Sequence, residues 1–316
     1  MKKPKRIKIK NKKIAFGGMK MRTRVCFSRF HPLFLLLYYI AVISVSVFSS
    51  DPIILSISLL GAVLLCAKLF GKGLLKDTVF LLVLTVLLTV TNPLFSHNGI
   101  TVLFYLGDSA YTLEALLYGL NMSVMVSAVI LWFKSLNAVL TDDKMQYLFS
   151  KSLPKTTLVI TMVMRFIPLY IKTVKDINDT RRAMGLYPEK NIFKKIRNAC
   201  EVFLTLVTQS LENAVETSFS MKARGYGEGE RTSYSIYKIK PTDIALISLL
   251  AISMIGFIYA FGVRENSSFA FYPTFFVPEM SNFRISMYFV FALVSLFPFL
   301  INSAESIKWK YYLSKI

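Results

Sequence analysis

Hydrophobic residues along this chain fall in blocks rather than at helical or strand spacing. Residues 32–49 (PLFLLLYYIAVISVSVFS) carry no charge, and the blocks at 52–67, 78–91, 115–133, 244–263 and 285–301 are equally free of Lys, Arg, Asp and Glu. Runs that approach the ~20 residues needed to cross a bilayer, with charges only at their ends, predict transmembrane helices. Six blocks predict an all-α, polytopic membrane helix bundle of about six spans. Buried core helices of a soluble protein are a poor alternative, because six of them need far more amphipathic sequence to cover them than the chain supplies.

Charge orients these spans. The chain carries 38 Lys and Arg against 18 Asp and Glu, a formal net charge of +20. Residues 1–30 hold 12 of the basic residues, the 68–76 loop 3, the 134–240 segment 18 and the tail from residue 302 another 3. The 92–110 connection holds none, and the 263–284 connection holds only Arg264 and Arg284. Basic segments alternate with the spans, as the positive-inside rule requires of six helices with both termini in the cytoplasm. The pattern predicts a basic N-terminal tail (1–30), four spans (31–133), a cytoplasmic domain (134–240), two further spans (241–302) and a cytoplasmic tail (303–316). The basic N-terminal tail is expected to meet the anionic headgroups of the lipid bilayer. Nucleic acid is not an expected partner, since no RNA-binding aromatic platform accompanies the charge. Nor is a cleaved signal peptide expected, the basic region being too long and SVSVFSSD a poor cleavage site.

Candidate chemistry is sparse. Cys26, Cys66 and Cys200 are isolated, and His31 and His97 have no His or Cys at ligand spacing, so neither a disulfide framework nor a metal site is predicted. Span interiors offer little beyond Ser, Thr and Asn. Asp77 and Glu114 sit near span ends, within expected reach of the interface, so the ionisable groups at depth that ion-coupled carriers need are missing. No G-x-x-x-x-G-K-[ST] occurs, and GKG at 71–73 is too short to cradle phosphates. No catalytic residue and no cofactor is predicted.

The informative region is 134–240. Pro154 can open a helix, which runs through VMRFIPLYIKTVKDINDTRRAM with Pro168 kinking it and is ended by Gly185 and Pro188. A second helix fits 191–224. Its polar residues Lys194, Arg197, Glu201, Thr205, Thr208, Glu212, Glu216 and Ser220 recur at intervals of three or four, opposite Ile192, Ile196, Phe203, Val207, Leu211, Ala214 and Val215. The apolar side is expected to pack on the first helix or on the membrane spans. Both helices end alike, TRRAMGLY at 180–187 and SMKARGYG at 220–227. Alanine keeps each tip slim and glycine permits a left-handed turn. Arg224 projects a permanent charge with a planar donor fork suited to carboxylates and carbonyls. The repetition predicts two docking tips, Arg181-Arg182-Ala183-Met184-Gly185 and Ala223-Arg224-Gly225.

TNPLFSHNGITVLFY, LEALLYGLNMSVMV, LTDDKMQYLF, RFIPLY and the Ala-Arg-Gly tip with its trailing glycines resemble the transmembrane coupling (T) component of energy-coupling factor (ECF) vitamin and metal importers. That resemblance implies a non-catalytic subunit of an ABC-type importer. It implies two cytoplasmic ABC-type ATPase subunits whose grooves receive the tips, and a separate membrane substrate-binding subunit held by the spans and the coupling helices. ATP-driven motion of the coupling helices then topples the substrate-binding subunit to release a vitamin or other micronutrient. The first tip departs from the family pattern, with Met184 where a central arginine belongs, and Arg181 or Arg182 stands in its place. A scaffold recruiting ribosomes or nucleic acid through its basic surface is the alternative reading.

Overall fold

The computed structural model describes residues 26–96, 99–106, 109–185, 191–229, 237, 239–259, 269–272, 275–278 and 280–314. The chain divides into two units, one formed by Met1–Leu140 with Ile239–Ile316 and the other by Thr141–Lys238. The basic tail up to residue 25, His97 and Pro188 lie outside the described residues.

In the first unit a short 3-10 turn, Cys26–Arg29, precedes α1 (Pro32–Phe48), α2 (Pro52–Phe70), α3 (Leu74–Phe95), α4 (Leu113–Val139), α8 (Pro241–Ile258) and α9 (Asn282–Ser314). Proline opens α1, α2 and α8, where its missing N–H would have had no intrahelical partner and its fixed φ suits the helix. His31 Nδ1 accepts from the Leu33 N–H to cap α1, and Thr112 Oγ1 accepts from the Ala115 N–H to cap α4.

Contacts at the helix ends show that these six helices traverse the unit alternately. At one end the α1–α2 turn meets the start of α9, where Asp51 pairs with Arg284. The end of α3 joins the same region, with Ser96 donating to Tyr272 Oη at 3.3 Å. At the other end the Phe27 N–H donates to Asn302 at 3.2 Å, Arg29 pairs with Glu305, Lys68 Nζ donates to Ser303 and Lys134 pairs with Asp77. Packing between helices relies on small residues that let backbones approach. A Cβ on Gly61 of α2 would overlap the Ser295 side chain of α9 and lie 3.0 Å from its carbonyl oxygen. Buried hydroxyls find partners across helices: Ser46 and Ser58 share a hydrogen bond of 2.6 Å, and Trp132 Nε1 donates to Ser58 Oγ at 2.9 Å. Around Trp132 the rings of Phe27, Phe34, Tyr38 and Tyr39 pack mostly edge to face.

Between α3 and α4 the chain forms an antiparallel hairpin of β1 (Val102–Leu106) and β2 (Ser109–Thr112), with an irregularity between Val102 and Phe104. The sequence reading treated this stretch only as a connection. Glu114 sits in the first turn of α4, at a span end as expected, and is buried there, its Oε1 accepting from both the N–H and the hydroxyl of Thr101.

The second unit contains α5 (Asp142–Ser152), α6 (Pro154–Ala183) and α7 (Ile192–Ala223). Thr161 Oγ1 donates to Gln146 Oε1 at 3.0 Å, joining α6 to α5. Tyr147 donates to the Tyr237 carbonyl and their rings lie 5.0 Å apart, so the segments by which the chain enters and leaves this unit sit together. α6 continues through Pro168 without interruption.

Among the described residues six helices are long and apolar enough to cross a membrane: α2, α3, α4, α6, α8 and α9. The count agrees with the sequence reading, but the membership differs. α1, with 17 residues, is shorter than any of these, although about 25 Å of helix is at the lower limit for a span. α6 enters because its first half is apolar, with only Lys155 and Arg165 charged between residues 154 and 171.

Candidate functional site

Both predicted tips are helix C-termini of one construction. At the end of α7 the Gly225 N–H donates to the Lys222 carbonyl at 2.9 Å and the Tyr226 N–H to the Met221 carbonyl at 3.1 Å, the paired bonds of a Schellman motif. Gly225 has φ of +75°, a conformation that costs a residue with a Cβ roughly 1–2 kcal/mol. At the end of α6 the Gly185 N–H donates to the Arg182 carbonyl at 3.0 Å, and Gly185 has φ of +81°. Ala183 and Ala223 are the last helical residues, and Met184 and Arg224 occupy equivalent C-cap positions. Both capping side chains are exposed.

The two arginines that could replace the missing charge at Met184 have different fates. Arg181 lies against α7, with its guanidinium donating to Glu201 Oε2 at 2.7 Å and to Asn198 Oδ1. Its side chain is only 16% exposed. Hydrogen bonding from Arg181 holds the Glu201 carboxyl below its ordinary pKa, with Arg197 adding to the effect at 3.3 Å. Arg182 is 61% exposed, with Asp179 of its own helix 3.7 Å away. Arg181 therefore fastens α6 to α7, and Arg182 is the arginine left at the surface of the first tip.

Antiparallel pairing separates the tips. Residues near the end of α6 meet residues near the start of α7, and the last turn of α7 shares a groove with the first half of α6. With 32 residues in α7, the tips lie at opposite ends of a rod about 48 Å long.

Of the two neighbours expected for the apolar side of α7, α6 is not the one most of it meets. Glu201, Glu216 and Ser220 of the α7 polar stripe turn toward α6, while Lys194, Arg197, Thr205, Thr208 and Glu212 are exposed. Ile192, Ile196, Phe203, Leu211 and Val215 are exposed, as are Val159, Ile160, Val163 and Ile167 on α6. The Arg181 guanidinium, on Glu201 and Asn198, joins the two helices, Val202 is buried, and the exposed apolar residues remain open to a bilayer or to another chain. Among the described residues no group of three His, Cys, Asp or Glu side chains could hold a metal ion.

The alternating apolar helices and the open-faced hairpin define a multi-pass, all-α membrane protein. Residues 25–234 match the CbiQ family, described as cobalt transport protein, and the chain belongs to that family. Over 116 residues it is 27% identical to the energy-coupling factor transporter transmembrane protein EcfT of Lactobacillus helveticus, covering 36% of this chain and 42% of that protein. Over 100 residues it is 31% identical to the EcfT protein of Lactococcus lactis subsp. cremoris, covering 31% of this chain and 36% of that one. The matched stretches thus span less than half the length of these curated relatives.

Proposed function

We propose that this chain is the transmembrane coupling subunit of an energy-coupling factor importer, carrying motion from two cytoplasmic ABC-type ATPase subunits to a separate substrate-binding subunit in the membrane. The observation that supports this reading best is the pair of equivalent glycine-terminated tips, one at each end of a single long hairpin. Two tips about 48 Å apart suit attachment to two subunits rather than to one. In this reading both termini and residues 134–240 face the cytoplasm, and the spans at 31–133 and 241–302 form the membrane domain. The open apolar stripes of α6 and α7 serve the substrate-binding subunit. Hydrolysis belongs to the partner chains, since the sequence holds no phosphate-binding loop and residues 71–73 form only a single 3-10 turn. The cargo is a vitamin or other micronutrient chosen by the substrate-binding subunit.

Charge-assisted hydrogen bonds from Arg224 contribute about 1.5–3 kcal/mol each, and reversing the charge adds repulsion against an acidic groove. Arg224→Glu is therefore expected to weaken capture of the ATPase subunits more than Arg224→Ala does, and Met184→Ala, which removes only packing, to weaken it least. Pull-down from membranes and uptake into vesicles measure both steps. Normal assembly and transport by Arg224→Glu would remove the docking role.

A further inference from the structure

Arg165, Arg181, Arg182, Arg197 and Arg224 are the arginines of the 141–238 unit among the described residues. Three of them have a carboxylate within ion-pairing distance: Arg181 and Arg197 on Glu201, and Arg182 on Asp179. Arg165 and Arg224 have none among the described residues. Both line one groove between α6 and α7, to which Thr161 and Met162 of α6 and Glu216 and Met221 of α7 also contribute. Its volume is about 660 Å³. Arg165 lies 5.4 Å from the centre of the Phe166 ring, a cation–π contact that orients the guanidinium. Glu216 shares the groove without pairing to either arginine, so two cations face one carboxylate.

We propose that Arg165 is a second arm of the α7 docking tip, and that the groove receives a carboxylate from an acidic, apolar-flanked segment of an ATPase subunit. The proposal rests on the coupling reading above. Two guanidiniums with no carboxylate partner among the described residues create the demand for one, because arginine forks match carboxylate oxygens in geometry as well as charge. Met162 and Met221 supply adaptable apolar walls for the flanking residues. The site is composite, one arginine from each helix, so its shape depends on how α6 and α7 lie against each other. The first tip has no equivalent, because Arg181 is already committed to Glu201.

The test uses the full-length chain in nanodiscs and its purified cognate ATPase subunits. Arg165→Ala is expected to weaken their binding tenfold or more, as loss of a charge-assisted contact implies. Arg165→Lys should recover only part, since it restores charge without the planar fork. The Arg165→Ala/Arg224→Ala double variant should lose less than the product of the single losses. Thermal unfolding of the chain alone should not change, because Arg165 is exposed. Wild-type binding by Arg165→Ala alongside weakened binding by Arg224→Ala would overturn the second arm and leave the coupling reading standing. Wild-type binding by both variants would overturn both. Unchanged ATPase binding with reduced retention of anionic-lipid vesicles by Arg165→Ala would make the groove a headgroup site and overturn the proposal.

Discussion

Asp51 and Arg284 illustrate how a single buried pair can organise one end of the first unit. Their side chains are 2% and 7% exposed, with Arg284 Nη2 donating to Asp51 Oδ2 at 3.0 Å. Arg284 Nε also donates to Tyr288 Oη at 2.7 Å, and the Phe269 N–H donates to Asp51 Oδ1 at 3.4 Å. Such satisfaction is needed, because a buried charge left without its partner is strongly unfavourable. Asp51→Asn and Arg284→Met are each expected to destabilise the protein by about 3–5 kcal/mol, and the double variant by less than the sum. Unfolding of the detergent-solubilised variants reads both effects; additive losses would show that the pair is not coupled. In the sequence Arg284 stood only as one of two basic residues in a poorly charged connection. Its partner lies 233 residues away, a separation at which no local spacing rule operates.

Elements were legible in proportion to how local their determinants are. Proline at the first position of α6, and alanine at the last position with glycine beyond it in both α6 and α7, mark these ends to within a residue or two, because capping chemistry involves only adjacent turns. The β1–β2 hairpin carried a readable signal in Gly107-Asp108 between two β-prone runs. The open connection between spans obscured it. Amphipathicity located the two stripes of α7 but did not decide between α6 and the spans as the neighbour of the apolar one, since periodicity says which residues share a face and not what that face meets. Arg181 was equally illegible: its partners Asn198 and Glu201 lie beyond a chain reversal. The Arg181–Glu201 contact makes the hairpin acid-sensitive. Glu201 titrates below its ordinary value in the folded protein. The pair's contribution is therefore full above the unfolded carboxylate pKa and is lost as pH falls through the lowered one. Spin labels on α6 and α7 near these residues should report a fixed distance at neutral pH and a broadened one in acid. Glu201→Gln should show the broadened distribution at every pH, and an acid-insensitive distance in the wild type would contradict the assignment.

At the scale of the whole molecule, the alternation of helices through the first unit brings the β1–β2 hairpin and the Asp51–Arg284 pair to one end and Arg29, Lys68 and Lys134 to the other. Combined with the distribution of Lys and Arg, this predicts that the hairpin is extracellular and α6 cytoplasmic. In a cysteine-free background, Leu103→Cys should react with an impermeant maleimide on intact cells, and Val159→Cys only after lysis. The reverse pattern would invert the orientation, and labelling of α6 from outside would make that helix a span, as its length and composition permit. The Arg181 fastening has a mechanical consequence. Two rods riveted near one end move as a pair of shears, and every displacement grows with distance from the rivet. Glu201 and Arg224 are separated by about 35 Å of helix, so a rotation of about 5° at the rivet carries the Arg224 blade roughly 3 Å, while the Met184 end stays almost still. A pivot at this contact would therefore carry the groove end farther than the Met184 end, and the two ends would make unequal strokes.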